Sequence, residues 1–183
     1  MKKNTPLKGV ILVLIVAVTI TCCATPASVI RMVPSFGHTR FVSSNMTLII
    51  AEVKGGKKTN PMSSSTIENE SFREALKNTL KKAGIFKDVS TDKKGDYKLY
   101  TEIIAQKLIG GFPTTSTLFV NYILIEEKSS RELWKENILS QYDAKFEEAF
   151  FAAERAKKAN EGAVRDNLTQ LVKKLSNVIS QLE

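Results

Sequence analysis

The most reactive side chains in this chain are Cys22 and Cys23, adjacent thiols and the only cysteines among its 183 residues. Neighbouring cysteines make poor disulfide partners, so the chain has no disulfide framework and its core must hold it together alone. His38, the single histidine, sits between Gly37 and Thr39 in a stretch without periodicity, where an imidazole is solvated rather than set up for catalysis. A nucleophile–histidine triad and a Cys/His zinc site are therefore both without a source. Glu52 and Glu102 fall on two strand-like stretches and could form a carboxylate pair for hydrolysis. The competing reading is that both simply mark a wet sheet face.

Two other patterns are incomplete. A strand leads into Gly55-Gly56-Lys57, as in a phosphate-binding loop, but Ala51 stands where that pattern needs Gly and Lys58 where it needs Ser or Thr. Asp88, Ser90, Asp92 and Asp96 alternate as in a calcium loop, but Lys93 replaces the required Gly and Leu99 the closing Glu. No catalytic residue, metal or cofactor is expected, and the chain reads as a non-enzyme.

The thiols make sense at the end of what precedes them. Lys2, Lys3 and Lys8 form a basic region, residues 10–20 are apolar apart from Thr19, and the run closes on Cys22-Cys23. This is the outline of an export signal, too short to be a comfortable membrane-spanning helix. With Ile20 three places before Cys23, it resembles the lipobox of bacterial lipoproteins, whose cysteine is diacylated before the preceding peptide is removed. The resemblance implies a lipid on Cys23, with Cys22 as the second choice, although Gly, Ala or Ser is usual just before the modified residue. A secretory signal cut after Ala24 and an uncleaved anchor are the alternatives.

The expected organisation is a signal over residues 1–22, a flexible tether over 23–45 carrying Pro26, Pro34 and Gly37, and one domain over 46–183. The formal charge of +8 includes three signal lysines, so the mature chain has 24 basic and 19 acidic residues. On an exported protein such a surplus points to anionic lipid, lipopolysaccharide, a glycan or an acidic protein, and away from nucleic acid.

Within the domain, residues 47–53 (TLIIAEV) predict a buried strand. A helix follows, with capping-box spacing at Ser65/Glu68 and Ser71/Glu74, an apolar face of Phe72, Leu76, Leu80 and Ala83, and Gly84 as its stop. Ile85 and Phe86 return the chain to the core. Residues 97–108, 117–126 and 132–142 predict a three-stranded meander; the second contains LFVNYILI, and the third places Trp134, Ile138 and Tyr142 on one face. A long helix begins near Glu147 or Phe151 and runs to about Gln181, its seam formed by Val164, Leu168, Leu171, Leu175, Val178 and Leu182. The expected fold is α+β, order β-α-β-β-β-α, a two-layer sandwich with a mostly antiparallel sheet and both helices on one face.

The pattern NESFREALKNTLKKAGIF, then WKENI, then AKKANEGAVRDNLTQLVKKL resembles small periplasmic lipoproteins of Gram-negative bacteria. These include uncharacterised ones, ABC-transport auxiliary lipoproteins, the lipopolysaccharide-assembly lipoprotein and the amino-terminal domain of the TolB type. The resemblance implies a binding or assembly module in envelope transport or biogenesis, partnered by an envelope protein complex or by membrane lipid. Because Ala24 rather than Asp follows Cys23, it also implies the periplasmic face of the outer membrane. The candidate contact residues are Ile109 and Phe112, on either side of Gly110-Gly111 in a loop tip, unless that loop folds back on its own helix layer. Trp134 is a second candidate, with burial in the core as its alternative.

Overall fold

The computed structural model describes residues 24–182 except 61, 63 and 93. Cys22, Cys23 and the export signal lie outside the described residues. The elements in chain order are a short α1 (Val29–Met32), β1 (Ser44–Lys54), α2 (Asn69–Ala83), β2 (Phe86–Ser90), β3 (Tyr97–Ile109), β4 (Thr114–Glu126), β5 (Arg131–Ala144), a single 3-10 turn at Phe146–Glu148, and α3 (Ala152–Leu182). The sheet order is β2-β1-β3-β4-β5.

The expected two-layer α+β sandwich is present, with one strand more than the sequence pattern suggested. Phe86 and Val89 are the only apolar residues of β2, too few to announce a strand. Its existence comes from parallel pairing with the start of β1, Ser44 opposite Phe86 and Ile49 opposite Ser90. β3 joins the other side of β1, also parallel, beginning with Leu48 opposite Tyr97. Because β2 stops at the level where β3 starts, residues 91–96 pass from one to the other without a crossover helix. Asp96 fixes that passage: its Oδ2 accepts the N–H and the hydroxyl of Thr47, each at 2.8 Å. These bonds hold its carboxyl below the usual carboxylate range. The two long ladders, β3–β4 and β4–β5, are antiparallel and form the expected meander.

Strand alternation sends Leu48, Ile50, Leu99, Ile103, Leu118, Val120, Tyr122, Leu124 and Ile138 to one sheet face, where they meet Phe72, Leu76 and Leu80 of α2 and Val164, Leu168, Leu171 and Leu175 of α3. Each such large apolar side chain contributes about 1.5–3 kcal/mol by leaving water. The inward-outward alternation of β3 breaks at Ala105, which is exposed. A register shift between Ile103 and Ala105 moves Gln106 and Leu108 to the inward phase, and the Gln106 amide oxygen accepts the Ile67 N–H at 3.2 Å.

Neither predicted capping box caps α2. The helix starts at Asn69 after Glu68, with no side-chain cap. The Glu68 carboxylate instead accepts the Thr59 N–H and the Asn69 side-chain carbonyl accepts the Gly56 N–H, so both side chains brace the preceding loop. The stop at Gly84 is as expected: it adopts φ 67° and donates to the carbonyls of Leu80 and Lys81.

The largest departure concerns the expected tether. Ala24, Ala27 and Met32 are buried, and Val29, Val33, Phe36 and Phe41 pack against the core. Ser28 N–H donates to Glu161 at 2.8 Å, Lys82 to the Pro34 carbonyl at 3.0 Å, and Val42 N–H to Ser176 Oγ at 3.0 Å. The apolar residues of this segment follow neither the helical nor the strand period, so no amphipathic pattern revealed them. His38 is exposed.

Candidate functional site

One end of the sandwich gathers the β3–β4 turn (residues 110–113), the end of β5, the 3-10 turn and the start of α3. Register brings them together, with Thr114 opposite Ala144 at the last rung of the β4–β5 ladder. Four phenylalanines meet there in a chain of ring contacts: Phe112 to Phe146 at 5.6 Å, Phe146 to Phe150 at 5.3 Å, and Phe150 to Phe151 at 5.5 Å between centroids. They remain open to solvent, Phe112 being 75% exposed and Phe150 72%. Ile109 ends β3 beside them, also exposed.

Both predicted contact residues therefore lie on this surface. The anticipated fold-back is partly realised, since the Phe112 ring lies 4.6 Å from the Arg155 guanidinium on α3, yet most of the ring stays exposed. Phe146, Phe150, Phe151 and Arg155 escape a reading by pattern. Their signal is three phenylalanines within the six residues FEEAFF, in a link that should be polar. Phe150 and Phe151 precede the helix.

Arg155 organises the end from beneath. It is 3% exposed; Nε donates to Thr114 Oγ1 at 3.3 Å, and Nη1 to the carbonyls of Ala149 at 2.9 Å and Phe150 at 2.7 Å. None of the ion pairs among the described residues involves it. A buried cation without a carboxylate is costly, and here carbonyl dipoles and the faces of Phe112 and Phe146 compensate it. Glu148 holds the other side of the turn by accepting from Lys145 N–H at 2.9 Å and Tyr142 OH at 3.0 Å, while Lys158 donates to its carbonyl. Burial, then the Glu148 carboxylate, raise the Tyr142 phenol above its usual value. Next to the aromatic rim a cleft of about 560 Å³ opens between the Gly110-Gly111 turn, Leu108, Phe151, Ala152 and Arg155.

The other candidates are not assembled in this way. Glu52 lines a separate cleft of about 590 Å³ at the edge of β1 beyond the end of β2, where Arg73 donates to the carbonyls of Ile50 and Thr91. Glu102 is exposed and does not line it, so the two carboxylates do not share that cleft. Trp134 is partly buried against the core. Among the described residues no group of three His, Cys, Asp or Glu side chains could hold a metal.

No family model and no curated protein sequence matches the chain. Solved structures do match. Protein XCC0632 from Xanthomonas campestris, of the DUF330 family, superimposes with a TM-score of 0.64 at 14% identity, over 86% of this chain and 98% of its own. Protein CT253 from Chlamydia trachomatis gives 0.56 at 7% identity, over 75% of this chain and 99% of its own. The likeness is one of fold. Lipoprotein GNA1162 from Neisseria meningitidis is also among the neighbours, at a TM-score of 0.43, 12% identity, and coverage of 74% of this chain and 98% of its own, too loose to carry an argument.

Proposed function

We propose that the protein is a non-enzymatic binding module of the Gram-negative cell envelope, anchored by acyl chains on Cys23 (Cys22 being the alternative) at the periplasmic face of the outer membrane. It would serve envelope transport or biogenesis through the phenylalanine end of the sandwich. The observation that carries this reading is the exposed cluster of Phe112, Phe146, Phe150 and Phe151, fastened from below by Arg155. Apolar surface concentrated in one patch and held in place marks a contact site rather than incidental exposure. The basic, apolar, cysteine-terminated leader supports the anchor.

The test has two parts. Mass spectrometry of the mature chain should find a diacylated cysteine at its amino terminus; an unmodified terminus at Thr25 would remove the anchor. A photo-reactive phenylalanine analogue at position 112 should then give a defined adduct in intact cells, where one at exposed Lys135 on β5 gives none. Equal labelling from both positions would strip the phenylalanine end of its role.

A further inference from the structure

We propose that the phenylalanine end rests on the bilayer holding the anchor, its rings entering the interfacial layer and Arg155 receiving the phosphate of a phospholipid headgroup. This deepens the reading above and rests on acylation at Cys23. Three observations select lipid as the occupant.

The first is where the described chain begins. Ser28 N–H is bound to Glu161, and Arg31 pairs with Glu154 and Glu161, so the amino-terminal segment enters over the first half of α3. Glu161 lies ten residues from Phe151, about 15 Å along the helix. Cys23 precedes Ser28 by five residues, a reach of at most about 18 Å. The described segment runs from Ser28 beside Glu161 to Val42 beside Ser176, so followed backwards it heads along α3 toward the phenylalanine end.

The second is the composition of that end. Exposed aromatic rings, with Lys107 and Lys145 but also Asp143 and Glu147 exposed around them, suit the boundary between headgroups and acyl chains through the rings rather than through net charge. Two acyl chains already hold the protein at the membrane, so a protein-borne contact at this end sets the orientation of the domain rather than its attachment.

The third is Arg155. Its Nη2 makes no hydrogen bond among the described residues, although Nε and Nη1 are engaged. Its charge has no carboxylate partner, and it lines the cleft at the amino-terminal end of the 31-residue α3, beside Ala152 and Ala153. A guanidinium next to a helix amino terminus, opening onto apolar rings, matches a phosphate ester attached to acyl chains.

The acylated full-length mature protein is reconstituted in phosphatidylethanolamine–phosphatidylglycerol vesicles containing acyl-brominated lipid. The wild type, with Trp134 alone, is compared with Phe150→Trp. Trp134 lies opposite Leu124, ten residues along β5 from Ala144 and so about 34 Å from the phenylalanine end, and serves as an internal control. Quenching of the introduced tryptophan with Trp134 emission unchanged is the expected result, and it should be lost in phosphate-free galactolipid vesicles. An introduced tryptophan that stays unquenched, or equal quenching of both indoles, overturns the proposal. Persistent quenching without phosphate overturns the role of Arg155. Photo-crosslinking at position 150 that yields only a protein adduct in cells assigns the surface to a protein and overturns it as well. An unacylated mature chain would sink both this inference and the functional reading; an acylated chain whose introduced indole escapes quenching sinks only the former.

Discussion

Tyr122 shows how single polar atoms are placed between the layers. Its hydroxyl donates to Asn167 Oδ1 at 2.7 Å; Asn167 Nδ2 donates to the Ile138 carbonyl and to Ser140 Oγ, and Ser140 Oγ to the Ala163 carbonyl. Burial raises the phenol well above its usual value, so it stays a neutral donor. Tyr122→Phe would leave Asn167 Oδ1 without that donor and should cost about 1–3 kcal/mol in urea unfolding. Glu161 makes the complementary case. Its carboxyl is buried, and desolvation raises its affinity for a proton despite the Ser28 N–H and Arg31, which pull the other way. An acid with a raised folded value binds more protons folded than unfolded, so its contribution improves as pH falls from neutrality through that value and levels off below 4.5. Relative to Glu161→Gln, the wild type should gain stability over that interval, as read by denaturant midpoints at a series of pH values; a constant difference would contradict the assignment.

At the level of elements, α3 shows what its sequence conveyed and what it concealed. The seam from Val164 to Leu175 was legible because leucines and valines at three- and four-residue intervals trace the single stripe that a helix buries. Asn160 and Asn167 lie seven apart and are fully buried, yet in sequence they look like the solvated side of the helix. Their role appears only when the sheet supplies Ser116 and Tyr122 as partners, a pairing across more than forty residues that no local pattern encodes. Gly162 is similarly hidden. In a helix interior Gly→Ala normally stabilises by about 1 kcal/mol. Here a Cβ would stand 2.2 Å from Cγ of Tyr142, a ring already tied to Glu148. Gly162→Ala should therefore destabilise by about 1–3 kcal/mol, and pairing it with Tyr142→Ala should recover part of the loss in a double-mutant cycle. The same difference separates Ile109 and Phe112, marked by a Gly-Gly turn between strands, from Arg155, which looks like one more surface cation until the turn folds over it.

On the scale of the whole molecule, the amino-terminal segment determines how the domain can be held. A free tether would let it tumble beneath its anchor, whereas Met32, Phe36 and Phe41 belong to the packed structure and fix where the chain leaves it. Two sets of substitutions separate this packing from the working surface. Met32→Ala opens a cavity under a fully buried side chain and should cost about 2–5 kcal/mol, an effect that a loose tether could not produce. Phe112→Asn with Phe150→Asn removes two largely exposed rings; the second should change unfolding by no more than about 0.5 kcal/mol, and the first, which also takes a ring face from Arg155, by about 0.5–2 kcal/mol. It should nonetheless abolish the contact made at that end, whether read as vesicle quenching through a tryptophan at position 151 or as crosslinking from that position. If the double variant unfolds as easily as Met32→Ala, the rings are structural and the surface loses its claim to function. If it stays folded and loses the contact, hydrophobic burial in this protein is divided between a core that includes its amino-terminal segment and an end kept exposed for something outside the chain.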